Sequence, residues 1–110
     1  MSLALYQKRV DDFLKPYATP YWSPLSEFAQ LAEEVGEIGR VLNHKYGDKV
    51  KKDSEKPDDL AGELGDTLFA LICLANNEGI DLDAAFEQFM HKVETRDKDR
   101  YEKKDSNDRY

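Results

Sequence analysis

Apolar residues recur at spacings of three and four along most of this chain, and no stretch alternates apolar with polar residues as a half-buried strand would. That period admits helices and leaves nothing to build a sheet, so the expected fold is all-α. A first helix is expected over residues 3–15, where Leu3, Tyr6, Val10, Phe13 and Leu14 share a stripe before Pro16 and Pro20 forbid continuation. Ser23 offers an N-cap and Pro24 suits the first helical position. These predict a second helix over 24–46, with Leu25, Phe28, Leu31, Val35, Ile38 and Leu42 as its stripe and Gly47 as its stop. The third, over 58–78, carries Leu60, Leu64, Leu68, Leu71 and Ala75 and ends at Gly79. The fourth, over 82–101, follows Asp81 as N-cap and turns Leu82, Ala85, Phe86, Phe89 and Val93 inward. Together they make a four-helix bundle, one domain over 1–110 whose end, 103–110, lacks a core-forming pattern and is expected to fray.

The segment LFALICLA, residues 68–75, is apolar all round and must be covered on every side, by the bundle or by another copy of the chain. It is far short of the roughly 20 residues a bilayer span needs, so no membrane association is expected. Cys73, inside it, reads as a small buried hydrophobe. The first residues lack the ordered parts of a secretion signal, and a cytoplasmic home is expected. A net charge of -7 disfavours a DNA or RNA duplex as partner. The connection GDKVKKDSEKP, residues 47–57, is lysine-rich and longer than a helical turn needs; its lysines are expected in solvent.

The chemistry is concentrated in an internal echo. Glu34-Val35-Gly36-Glu37 and Glu63-Leu64-Gly65-Asp66 share the pattern Glu, aliphatic, Gly, acid, one copy on each of two helices. Acids three apart lie about 60° apart on a helix surface, so each helix presents a carboxylate pair beside its apolar stripe. No Lys or Arg stands three or four residues from Glu34, Glu63 or Asp66; Arg40, three past Glu37, is the nearby cation. A glycine inside a helix costs about 1 kcal/mol relative to alanine. Close approach of the two helix backbones is its expected use, bringing four carboxylates around one small volume. Oxygen donors without converging His or Cys suit Mg²⁺, with Mn²⁺ as the other fit. His44 and His91 form no Glu-x-x-His motif, which weighs against a ferritin-like iron carrier, and both are expected to be peripheral.

Glu33-Glu34-Val35-Gly36-Glu37 followed by Glu63-Leu64-Gly65-Asp66-Thr67-Leu68-Phe69 resembles the EExxE and ExxD signature of MazG-like nucleotide pyrophosphohydrolases, in the all-α NTP pyrophosphatase superfamily. Tyr21-Trp22-Ser23-Pro24-Leu25, Asn43-His44-Lys45-Tyr46-Gly47, Cys73-Leu74-Ala75-Asn76 and the run from His91 to Arg100 are similar to its short single-domain branch, so the likeness extends over residues 20–102. The resemblance implies a helical homodimer or homotetramer that binds Mg²⁺ and hydrolyses a nucleoside triphosphate to the monophosphate and pyrophosphate. It further implies Glu34, Glu37, Glu63 and Asp66 as metal ligands and Lys92 and Arg96 as phosphate-binding cations. Glu33, turned about 100° from Glu34, either supports a second metal or an attacking water or is a surface acid. Trp22, with Tyr21, either stacks on a base or closes the end of the core. Asn76 and Asn77 either contact sugar or base or cap their helix. The competing function is a non-enzymatic acidic interaction protein in which the carboxylates hold a structural divalent cation.

Overall fold

A computed structural model describes residues 2–55 and 57–104. It contains four helices and, among the described residues, no strand: α1 (Leu3–Leu14), α2 (Pro24–Tyr46), α3 (Leu60–Asn77) and α4 (Leu82–Arg96). Each starts on a side-chain cap. Ser2 accepts from Leu5 N–H, Ser23 from Ser26 N–H, Asp59 from Gly62 N–H, and Asp81 from the Asp83 and Ala84 N–H groups. Asp59 is thus the reason α3 begins at 60 and not at the expected 58. At the other end of the chain, Asp97 caps α4 and forks onto Arg96, so the helix stops five residues before the expected 101. The frayed tail expected over 103–110 lies outside the described residues from 105 onward. Between α3 and α4, Gly79 turns the chain at φ +67, while Ile80 N–H bonds back to Ala75 carbonyl.

The main packing is α2 against α3, with α1 on α3 and α4 on α1. The α2–α3 pair is antiparallel: Glu27 meets Asn77 at one end, and His44 meets Asp58 at the other. Val41, Ala70, Ile72 and Ala75 form the buried apolar core. The stripes expected to face inward are only partly inside. On α2 the contact face carries Glu27, Gln30, Leu31, Glu34, Ile38 and Val41, and leaves Leu25, Phe28, Val35 and Leu42 exposed. On α1 the most buried residue is Gln7, while Tyr6 and Phe13 are exposed; on α4, Phe86 and Phe89 stack on each other in solvent. Leu68, Phe69 and Leu71 of the LFALICLA run are also exposed. The radius of gyration, 18.4 Å, exceeds the roughly 13 Å of a compact chain of this length, and the extents are 57 × 42 × 25 Å. One copy of the chain therefore does not cover its own apolar surface.

One further expectation is corrected. A Cβ placed on Gly36 or Gly65 would meet nothing within 4 Å, so these glycines do not bring the two backbones together. His44 is buried, its side chain 3% exposed, with Glu55 and Asp58 against its two ring nitrogens.

Candidate active site

Packing α2 on α3 brings Glu34, Glu63 and Asp66 together, with one carboxylate oxygen of each within 4.8 Å of the others. The reason is local. Glu34 lies on the contact face of α2, and Glu63 and Asp66 lie one turn apart near the start of α3. Gln30 donates from Nε2 to Glu34 Oε1 at 2.7 Å, and no Lys or Arg among the described residues pairs with any of the three. Burial, and then the charges of Asp66, Glu37 and Glu34, push the Glu63 carboxyl above its ordinary range, while Arg40 opposes them. Such a group takes up a proton or a cation.

The other predicted site residues are placed as follows. Glu37 acts on Glu63 through its charge but is ion-paired with Arg40, which also reaches Glu55 at 3.9 Å. Glu33 is exposed. Lys92 is exposed on α4, and Arg96 at the end of that helix pairs with Asp97. Asn76 lies in a network between helices: its Nδ2 donates to Gln7 carbonyl and to Tyr21 hydroxyl, and its Oδ1 accepts from Gln7 Nε2. The aromatic pair is split, since Tyr21 belongs to that network and donates to Asp11 at 2.7 Å, whereas Trp22 is exposed.

Trp22, Glu34 and Asp66 border one cleft of about 580 Å³, whose wall also includes Leu14, Tyr17, Glu27, Gln30, Phe69 and Cys73. Cys73, expected inside the core, is half-buried in its wall, and its thiol is pushed up by burial and then by the charge of Glu27. Sequence reasoning missed Glu27 and Gln30. Glu27 precedes Glu34 by seven residues, two helical turns on the same face, which was the available signal. Asn77 fixes this end of the cleft by donating from Nδ2 to Glu27 Oε1 at 2.8 Å and to Trp22 carbonyl at 3.0 Å.

At the far end of α2, His44 Nδ1 lies 3.2 Å from Asp58 Oδ1 and His44 Nε2 lies 3.4 Å from Glu55 Oε2. The hydrogen bond from His44 holds the Asp58 carboxyl below its usual range. This pairing ties the connection to α2 beside Arg40 and leaves the carboxylates of the acid group to one another.

Residues 23–101 match the family model of the MazG nucleotide pyrophosphohydrolase domain. YpjD, an uncharacterized protein of Bacillus subtilis strain 168, is 46% identical over 99 residues, covering 90% of this chain and 89% of that one. The crystal structure of YPJD from Bacillus subtilis superposes with a TM-score of 0.76 at 41% identity, over 86% of this chain and 97% of that one. The Bacillus-conserved MazG protein, described as a nucleotide pyrophosphohydrolase, gives a TM-score of 0.75 at 40% identity, over 90% and 96%. With helices in this order and a carboxylate group at the join of α2 and α3, the chain belongs to the MazG nucleotide pyrophosphohydrolase family, a family of hydrolases.

Proposed function

We propose that the chain is a Mg²⁺-dependent nucleoside triphosphate pyrophosphohydrolase that converts an NTP or dNTP and water into the monophosphate and pyrophosphate. The layout of the cleft carries this reading, with Glu34 and Asp66 in one part of its wall and Trp22, Tyr17 and Phe69 also lining it. Glu27 and Glu34 stand about 10 Å apart along α2, at a rise of about 1.5 Å per residue, a span comparable to that from base edge to phosphate in one nucleotide.

Glu34, Glu63 and Asp66 would hold the ion, and Glu37 would join them by exchanging Arg40 for it. Hard oxygen donors without His or Cys suit Mg²⁺ or Mn²⁺. When bound, the ion neutralises phosphate charge and polarises the oxygens around the α-phosphorus. The chain's own part is positioning: the aromatic faces hold the base and so set the α-phosphate beside the carboxylates. Water attacks that phosphorus, the anhydride bond to the β-phosphate breaks, and pyrophosphate leaves with the bridging oxygen. Glu33 is the carboxylate offered to the proton of the water.

Lys92 and Arg96 stand on α4, which packs on α1 and lines none of the cleft. We assign their binding of the phosphates to a homodimer or homotetramer, in which α4 of one copy meets the cleft of another. The exposed Leu25, Phe28, Val35 and Leu42 support such an assembly. Asn76 keeps to its network with Gln7 and Tyr21.

Pyrophosphate release from a panel of nucleotides with Mg²⁺, abolished by chelator, tests the reading. Release from none of them would overturn it and favour an acidic interaction protein with a structural cation. Light scattering tests the assembly; an active monomer at micromolar concentration would remove the role of Lys92 and Arg96 across copies.

A further inference from the structure

Glu27 is 4% exposed, lines the cleft, and receives one hydrogen bond, from Asn77 Nδ2 to its Oε1. Among the described residues no Lys, Arg or His pairs with it. Its second oxygen has no donor among the described residues, and if Glu27 only held Asn77, a neutral glutamine would do so without a charge in the cleft wall. Gln30 stands in the same wall, one N–H of its Nε2 engaged by Glu34 and its Oε1 left as an acceptor.

We propose that Glu27 reads the base of the nucleotide and selects guanine. This rests on the nucleotide reading above. A carboxylate accepts through two oxygens side by side, and guanine offers two adjacent donors on one edge, N1–H and the 2-amino group. Adenine and cytosine each set one amino group beside a ring nitrogen that accepts, which a carboxylate repels. Uracil and thymine set one N–H between two carbonyls. Asn77 is a positioning residue, because it orients Glu27 and, through the Trp22 carbonyl, the aromatic that borders the same cleft.

The first measurement needs no variant: kcat/KM for pyrophosphate release with GTP, ITP, ATP, CTP and UTP. GTP is expected to exceed ATP at least tenfold through KM, with ITP, which lacks the 2-amino group, between them. In Glu27→Gln the GTP:ATP ratio is expected to fall toward unity. Hydrolysis with no preference for GTP, or a preference unchanged in Glu27→Gln, would overturn the base reading and leave the hydrolase reading standing. If no nucleotide is hydrolysed, the hydrolase reading fails separately, and quenching of Trp22 fluorescence by guanosine against adenosine decides: stronger binding of guanosine supports the role of Glu27, and equal or absent binding overturns it.

Discussion

The two ends of α3 carry polar side chains to opposite effect. At its C-terminal end the amide of Gln7, itself buried, donates to Asn76 Oδ1 and Ile80 carbonyl and accepts from Leu82 N–H, while Asn76 donates on to Tyr21 and Tyr21 to Asp11. The amides of Gln7 and Asn76 are neutral, and each finds partners for both its donor and its acceptor. At its N-terminal end three carboxylates crowd together with one glutamine donor between them. A closed polar network holds helices in register; an open charged one holds the chain ready for a cation.

The sharpest way to break this contrast is Glu63→Gln. It is expected to lower kcat/KM for pyrophosphate release by at least about 100-fold, the scale on which one preorganised group at a reacting centre counts. Thermal melting of the metal-free protein should not fall, because the change removes a carboxylate that its neighbours repel. Retained activity would move the chemistry away from this end of α3.

Gln7→Ala strikes the closed end and should cost about 2–3 kcal/mol in urea unfolding, since it strands Leu82 N–H and Ile80 carbonyl. Divalent-ion affinity measured by calorimetry should stay unchanged. A smaller effect, about 1 kcal/mol, is expected for Tyr21→Phe. Burial, and then the bond to Asp11, push the Tyr21 phenol up to about 12. The folded chain therefore holds this proton more firmly than the unfolded one, whose tyrosines ionise near 10. The stability it brings is complete below pH 10 and is lost as the pH rises from 10 through 12. Alkaline melts of Tyr21→Phe should lack that part of the slope. Gly36→Ala should act in the other direction, raising stability by up to about 1 kcal/mol, because the new Cβ meets open space and a helix prefers alanine. A loss would mean that the glycine answers a need in the assembled protein.

What could be read in the sequence was what local rules govern. Ser23-Pro24, Asp81 and Gly47 marked helix ends because a cap acts within one turn, and the acids of α2 and α3 stood out because their pattern repeats. The burial of Gln7, Glu27 and His44 was not legible. Each depends on a segment 14 to 75 residues away, such as Asp58 for His44 and Leu82 for Gln7, and nothing in helical periodicity encodes that partner. The apolar stripe of α2 divides, with Leu31 and Ile38 toward α3 and Leu25, Phe28, Val35 and Leu42 exposed, because periodicity marks a face as apolar without saying what covers it.

Asp83, in the first turn of α4, accepts the N–H groups of both Leu3 and Ala4 at 3.0 and 3.1 Å, across 80 and 79 residues of chain. The start of α1 is therefore secured by a partner far along the chain. Until α4 has been synthesised, α1 has Ser2 as its cap but lacks this carboxylate, and its twelve residues are too few for a stable helix in water. Since α4 packs on α1 and α1 on α3, α1 links α4 to the α2–α3 pair, and losing the Asp83 carboxylate would loosen both ends of the described chain at once.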